Sequence, residues 1–383
     1  MTRRAILHIG PPKTGTSAIQ ASLSHNRSAL ARFGLLYPGT GRDHSATLLA
    51  LFRGRAQDYI RARKRTVPSG TSPISAKQFA AVQEQLRGRD WHTLILSTEL
   101  MYGLKPPVMK QIKEWLDQYV DSYQLVAVVR DPVDWAVSYT QQRFKREGDV
   151  DTLLAQPRAM RLQRTFQRWE EVLGPGQHQI LAFEELTADP AGMGAAFLTR
   201  LGLESAAAAL SQEVAARNES LSWEAAMMMA ELNTRRPFFV EGKRSGARSG
   251  AELGAFTGIR GQRFDLSDAT RRQIFDETRE DIAWVGERFG ITRYDYPVTD
   301  LRPSSNPAGF SPEFITAVGE RMADMANEIR IQRGLLQIAE LRLEGRIGEA
   351  ERARRRLEAM FPSDSRFHDE PEDDDAVVRW AAE

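Results

Sequence analysis

The chain contains no cysteine, which excludes disulfides and thiolate metal sites and fits a reducing cytosol, so a cytoplasmic location is expected. It also lacks any run of about eighteen apolar residues, so no transmembrane helix is expected. Met1-Thr2-Arg3-Arg4 leads at once into an apolar strand, without the hydrophobic stretch of a signal peptide. Six histidines occur with no His-Glu-x-x-His or comparable spacing, so no metal site is assigned. Charge of either sign is not in excess. With 52 Lys and Arg against 51 Asp and Glu, the formal net charge is +1, and no nucleic-acid or anionic-membrane partner is implied. What is present is a chain of 383 residues, 42% hydrophobic, enough for one large domain and an extension.

Short apolar runs alternate with helical periodicity. Ala5–Ile9, Leu35–Pro38, Thr93–Ser97, Gln124–Val129 and Gln179–Phe183 read as strands or extended stretches. Helices are expected over Thr16–Phe33 (closed by Gly34), His44–Lys64, Ser75–Arg87, Pro106–Tyr119, from Pro132, and over Arg158–Leu173, Ala191–Leu201, Ser222–Asn233 and Ser267–Phe289. This alternation predicts an α/β fold, a three-layer parallel sheet with helices on both faces and ligands at the carboxyl ends of its strands. Val67–Pro73 and Glu241–Arg263 read as loops, and Leu301–Pro312, with three prolines, as a linker. From Pro312 to about Met360 the pattern is a helical extension, a hairpin broken at Gly345–Gly348. A lone unit of this kind packs on the main domain or in a homodimer. The expected units are residues 1–300, 301–362 and an acidic, disordered tail over 363–383.

Two segments carry chemistry. In the first, a strand ends at Gly10-Pro11-Pro12-Lys13-Thr14-Gly15-Thr16-Ser17 and a helix begins. The first turn of a helix has free N–H groups and a positive dipole end, Lys13 adds a full charge, and the Thr14, Thr16 and Ser17 hydroxyls add donors. Together these make a phosphate cradle. The lysine precedes Thr-Gly-Thr-Ser rather than standing in Gly-Lys-Ser/Thr, so the loop is not a Walker A sequence.

In the second, Gln124–Val129 ends at Arg130-Asp131-Pro132, and Pro132 suits the first turn of a helix. Ser138 then falls about two turns along that helix. A guanidinium and a hydroxyl so placed can hold one phosphate from two sides.

Pro12 to Ser17 and Val129 to Tyr139 resemble the two donor-binding elements of sulfotransferases that use 3′-phosphoadenosine 5′-phosphosulfate, with no metal required. The resemblance, to soluble bacterial members, covers roughly residues 1–300. It implies that Pro12, Lys13, Thr14, Gly15, Thr16 and Ser17 bind the 5′-phosphosulfate and that Arg130 and Ser138 hold the 3′-phosphate. Lys13 would stabilise charge developing on the bridging oxygen. Tyr139-Thr140 departs from the pair of aromatics often found there.

Two residues are candidates for the base. Glu99, in Ser97-Thr98-Glu99-Leu100, follows a strand and resembles the family's base, although a helix-start carboxylate has the same signature. His44, in Gly41-Arg42-Asp43-His44-Ser45, is the other. His8 reads as a satisfied core histidine. Arg217-Asn218-Glu219-Ser220-Leu221-Ser222 resembles a further family segment, implying nucleotide contacts from Asn218 and Ser220, while Ser222 serves equally as an N-cap. Lys243, Arg244 and Arg248 resemble a basic loop closing over the nucleotide, and Arg143, Lys145 and Arg146 follow Ser138 and suit an acidic acceptor.

The expected activity is sulfuryl transfer to a hydroxyl of a saccharide, glycolipid or related metabolite, with adenosine 3′,5′-bisphosphate as product. Two alternatives stand beside it. One is a kinase or NTPase in which Asp131 acts as a Walker B acid, and the other a non-catalytic nucleotide-binding scaffold that uses the C-terminal helices.

Overall fold

The computed structural model describes residues 2–52, 73–145, 153–154, 157–211, 220–237, 239–240, 243–244, 252–257, 259–305, 309–362, 364 and 366. Five strands, Arg4–His8 (β1), Leu35–Leu36 (β2), Thr93–Ser97 (β3), Ser122–Val129 (β4) and Gln179–Ala182 (β5), form one parallel sheet in the order β2-β3-β1-β4-β5. The α/β class expected from the alternation is therefore the class observed.

Strands covered on both faces are mostly apolar, and among the exceptions here His8, Thr93, Ser97 and Gln124 are themselves buried. Ala5, Leu7, Leu94, Leu96, Leu125 and Ala127 point into one core, where they meet the helices Pro106–Leu116 and Leu162–Leu173. Ile6, Ile95, Val126, Val128 and Leu181 point into the other, against the helices Thr16–His25 and Met193–Arg200. The period of two that divides each strand between the cores fixes its register, since a one-residue slip would exchange the faces.

Register also sets the site. His8 pairs with Ser97 on β3 and with Val126 on β4, so the chain leaves β1 and β3 at the same level. β4 runs on to Val129 before Arg130. From β1 the chain crosses over β3 to β2, whereas from β4 it goes the other way to β5. The adjacent strands β1 and β4 thus flank the point where the connections diverge, the place where such sheets bind ligands.

Several expected boundaries shift. The first helix ends at His25, and Arg27–Ala31 forms a second one before Gly34, which has φ 66°. The helix expected from His44 is Ser45–Leu51, and its continuation and the Val67–Pro73 loop fall largely outside the described residues. Phe183 opens the helix Phe183–Ala188 instead of closing β5, because its neighbours Glu184 and Glu185 suit a first turn. Within the Glu241–Arg263 stretch, Lys243–Arg244 pairs with Phe239–Val240 as a short hairpin, and Glu252–Phe256 is a helix.

The stretch after Leu301 is fastened to the domain rather than hanging as a linker. Asp265, wholly buried, takes Arg271 at 2.6 Å, and both Arg302 and Ser305 at 3.2 Å. Buried Glu224 accepts from the N–H of Gln262 at 2.9 Å and from the Ser311 hydroxyl at 3.0 Å. Ser311 also caps the helix Pro312–Leu343 through the N–H of Phe314. That helix turns at Gly345, φ 73°, into Ile347–Met360, and Ile338 and Leu341 pack on Ala350 and Leu357. The hairpin is thus where the sequence put it. The tail beyond residue 366 lies outside the described residues.

Candidate active site

The loop after β1 is held by its carbonyls. The hydroxyls of Thr14 and Thr16 donate to the Pro11 carbonyl at 2.7 and 3.4 Å. Trp135 Nε1 donates to the Pro12 carbonyl at 2.6 Å, and Arg130 Nη1 to the Lys13 carbonyl at 3.4 Å. Three successive carbonyls are therefore satisfied by the protein. Among the described residues, the N–H groups of Thr14, Gly15, Thr16 and Ser17 meet no acceptor, and no side chain caps the helix. Lys13, φ 67°, and Gly15, φ 80°, both take the left-handed conformation, and alternation of this kind turns backbone N–H groups into an anion-binding concavity. For lysine such a backbone costs on the order of 1–3 kcal/mol, which the carbonyl contacts offset.

The expected donor set is corrected here in one respect. Thr14 and Thr16 are buried with their hydroxyls turned onto Pro11, so the loop offers backbone N–H groups, the exposed Ser17 and Lys13.

Gly15 is required twice over. A Cβ there would sit 2.0 Å from Cε of Met193 and 3.2 Å from the Phe183 ring, and the left-handed φ disfavours any side chain. At Gly10 a Cβ would fall 2.2 Å from Oγ1 of Thr16.

Lys13 Nζ donates to Oε1 of Gln142 at 3.3 Å. Burial pushes the Lys13 amine below its ordinary pKa; the negative charge of Glu99 opposes that shift and the positive charge of Arg130 adds to it. Glu99 and Arg130, from the ends of β3 and β4, thus both act electrostatically on the lysine that follows β1. The Arg130 guanidinium carbon lies 4.9 Å from the centre of the Phe183 ring, a cation–π contact that orients it.

Asp131 caps the helix Pro132–Phe144, accepting from the N–H groups of Val133 and Asp134 at 3.0 and 2.9 Å, and its other oxygen accepts from Tyr296 at 2.8 Å. Burial raises its pKa. Both oxygens are engaged in structure, which counts against a Walker B role.

Trp135, Ser138 and Gln142 share one face of this helix, three and four residues apart. Trp135 and Gln142 touch the loop at Pro12 and Lys13, so Ser138 sits between them, toward the loop. At the departure from the family pattern, Tyr139 stacks on Trp135 at 4.8 Å with planes 7° apart.

Glu99 is half-buried and opens a single 3-10 turn, Glu99–Gly103, that Thr98 caps. His44 does not join it. That ring is wholly within the protein; the Ser97 N–H donates to Nδ1 at 3.0 Å, and Nε2 faces the Pro38 carbonyl at 3.1 Å. Burial lowers its pKa to about 4. With both nitrogens engaged, His44 ties β3 to the Pro38 turn.

His8 is buried as expected but not satisfied. Nδ1 shares a hydrogen bond with Oγ of Ser97 at 2.8 Å, while Nε2 has no hydrogen-bond partner among the described residues, and burial lowers the His8 pKa to about 3. Asn218, Arg146 and Arg248 fall outside the described residues. Ser220 is exposed, and the next carbonyl, Leu221, accepts from Gln141 at 2.6 Å, which lays this segment along the same helix. Ser222 is indeed an N-cap, for the helix Trp223–Arg235.

Sequence reasoning missed Gln142, Trp135, Phe183 and Met193. The first two had a signal, since both lie at helical spacing from Ser138.

No protein-family model matches the chain, and no curated protein does. Among solved structures, it is similar to the crystal structure of a sulfotransferase from Alicyclobacillus acidocaldarius, at 18% identity and a TM-score of 0.31. That likeness covers 53% of this chain and 82% of the other. A superposition this loose adds nothing to the geometry above.

Proposed function

We propose that this chain transfers a sulfuryl group from 3′-phosphoadenosine 5′-phosphosulfate to a hydroxyl of a saccharide, glycolipid or related metabolite. The observation that carries the reading is the convergence of Lys13, Arg130 and Glu99 around a loop whose N–H groups are left without protein acceptors.

In this reading the N–H groups of Thr14 to Ser17 hold the 5′-phosphate end, and Arg130 with Ser138 holds the 3′-phosphate. Glu99 accepts the acceptor hydroxyl's proton as the new oxygen–sulfur bond forms. The bond from sulfur to the bridging phosphate oxygen breaks, and Lys13 meets the negative charge that collects there. Adenosine 3′,5′-bisphosphate leaves, carrying the bonding pair. The sulfuryl group bears less charge than a terminal phosphate, so the chain's own cations suffice for this step. Arg143 and Lys145 follow on the helix that carries Ser138, where they suit an acidic acceptor.

Calorimetric titration of the pure protein tests the reading. Adenosine 3′,5′-bisphosphate should bind without magnesium, and ATP with magnesium should bind far more weakly. Binding of Mg-ATP with no binding of the bisphosphate would overturn it in favour of phosphoryl transfer.

A further inference from the structure

The helix Pro312–Leu343 has two apolar faces, and the described residues cover only one. Ile331, Ile338 and Leu341 are buried, the last two against Ile347–Met360, and Gly334 lets Leu357 approach, since a Cβ there would lie 2.7 Å from that side chain. On the opposite side Met322, Met325, Ile329, Leu336 and Leu343 are exposed, Met322 at 66% and Leu343 at 78%. Scattered exposed apolar residues need no explanation, but a continuous stripe of five along one helix does.

The spacing identifies the partner as another helix. Met322, Ile329, Leu336 and Leu343 follow one another at intervals of seven, and Met325, Gln332 and Ala339 occupy the second seam position three residues after each of the first three. A seven-residue repeat keeps a seam facing a second helix that supercoils with it. A peptide groove or a lipid surface asks for no such repeat.

Charge selects the orientation and makes the sequence complementary to itself. With two copies parallel and in register, Glu328 flanks the seam opposite Arg333 of the second copy, and the symmetry supplies that pair twice. Arg333 is exposed, and Glu328, already held by Arg366 and Gln332, keeps acceptor capacity. Arg321 then faces an uncharged position. The antiparallel arrangement that best aligns the same seam brings Arg321 against Arg342 instead, and like charges across a seam oppose pairing. Gln332 stands as one polar layer among apolar ones, a device that fixes register.

We propose that a second copy of this chain docks on the stripe, forming a parallel, in-register two-stranded coiled coil through Met322 to Leu343. The hairpin partner Ile347–Met360 stays on the far face of each helix.

Sedimentation equilibrium of the full chain at micromolar concentration should give twice the monomer mass of 43.1 kDa. Ile329→Glu with Leu336→Glu should return the monomer mass while circular dichroism keeps the parent's helix content, because both residues are solvent-exposed in the single chain. The melting temperature should fall only by the stability that dimerisation adds. Glu328→Arg should weaken association at least tenfold, and adding Arg333→Glu should restore it. The absence of cysteine makes orientation directly readable. Leu336→Cys should cross-link two copies under mild oxidation, since the seam pairs that residue with itself. A monomer in the parent, whether or not it binds anionic phosphatidylserine vesicles, would overturn the proposal. So would a dimer indifferent to the glutamate pair, or one that Leu336→Cys cannot cross-link.

Discussion

Arg130 reaches across from the end of β4 to the main-chain carbonyl of Lys13, 3.4 Å away, so the cation proposed for one phosphate also braces the loop proposed for the other. Phe183 steers the guanidinium from the side, and Gly15 clears the space that Phe183 and Met193 require. The two ends of the nucleotide would therefore meet a single connected structure.

Arg130→Ala should weaken adenosine 3′,5′-bisphosphate by about 1.5–3 kcal/mol, the range for hydrogen bonds to a charged group. Adenosine 5′-phosphate, which lacks the second phosphate, should lose much less. Titration of both ligands against the variant decides it. Equal weakening would show that Arg130 acts only through the loop.

Lys13→Ala should lower kcat by about 10²–10³ while donor affinity falls far less, because the charge it answers develops only as the bond breaks. Single-turnover rates beside bisphosphate titrations separate the two effects. An unchanged rate would remove Lys13 from the chemistry.

Glu99→Gln should lower kcat by about 10²–10⁴ and abolish the acidic limb of the pH–rate profile. It should also move the alkaline limb to lower pH. The anion at Glu99 raises the Lys13 pKa against burial, so its loss lets the amine deprotonate sooner. A profile shifted on neither side would take Glu99 out of the site.

The sheet, the loops that follow β1 and β4, and the helical hairpin were legible because each rests on a local pattern. Apolar runs became β1, β3 and β4, Pro132 stood at a helix start, and Gly345 stood at the turn. The environment of single side chains was not legible. Glu99 and His44 both stood as candidate bases, and only the fold buries the imidazole between Ser97 and Pro38 while the Glu99 carboxylate acts on Lys13. The Thr14 and Thr16 hydroxyls likewise looked like ligand donors until the turn at Pro11 took them. The hydrogen bonds that pin residues 302–305 to Asp265 join positions some forty apart in the chain, which no periodicity reveals.

Gly15→Ala should abolish measurable bisphosphate binding and cost at least about 1–2 kcal/mol of stability, from the left-handed backbone and the collision with Met193. Denaturant unfolding of this variant and of Gly15→Ala with Met193→Ala divides the two causes. The double variant should recover the collision component and retain the backbone one. Full recovery would mean that the conformation at Gly15 costs nothing.

Acid should destabilise the fold through its buried histidines before it protonates the carboxylates. His44 and His8 are held neutral, with pKa values of about 4 and about 3 against an ordinary 6.5. Between those values the unfolded chain takes up protons that the folded chain refuses, so their contribution is complete above pH 6.5 and shrinks as pH falls. Each histidine gives a slope approaching about 1.4 kcal/mol per pH unit, ending near pH 4 for His44 and near pH 3 for His8. Urea unfolding of the parent at pH 7.5, 6.0 and 5.0 should show stability declining across that series. In His44→Gln the slope should halve, whatever the variant loses at pH 7.5 by giving up its contacts to Ser97 and Pro38. An undiminished slope in that variant would mean that His44 titrates alike in the folded and unfolded chain.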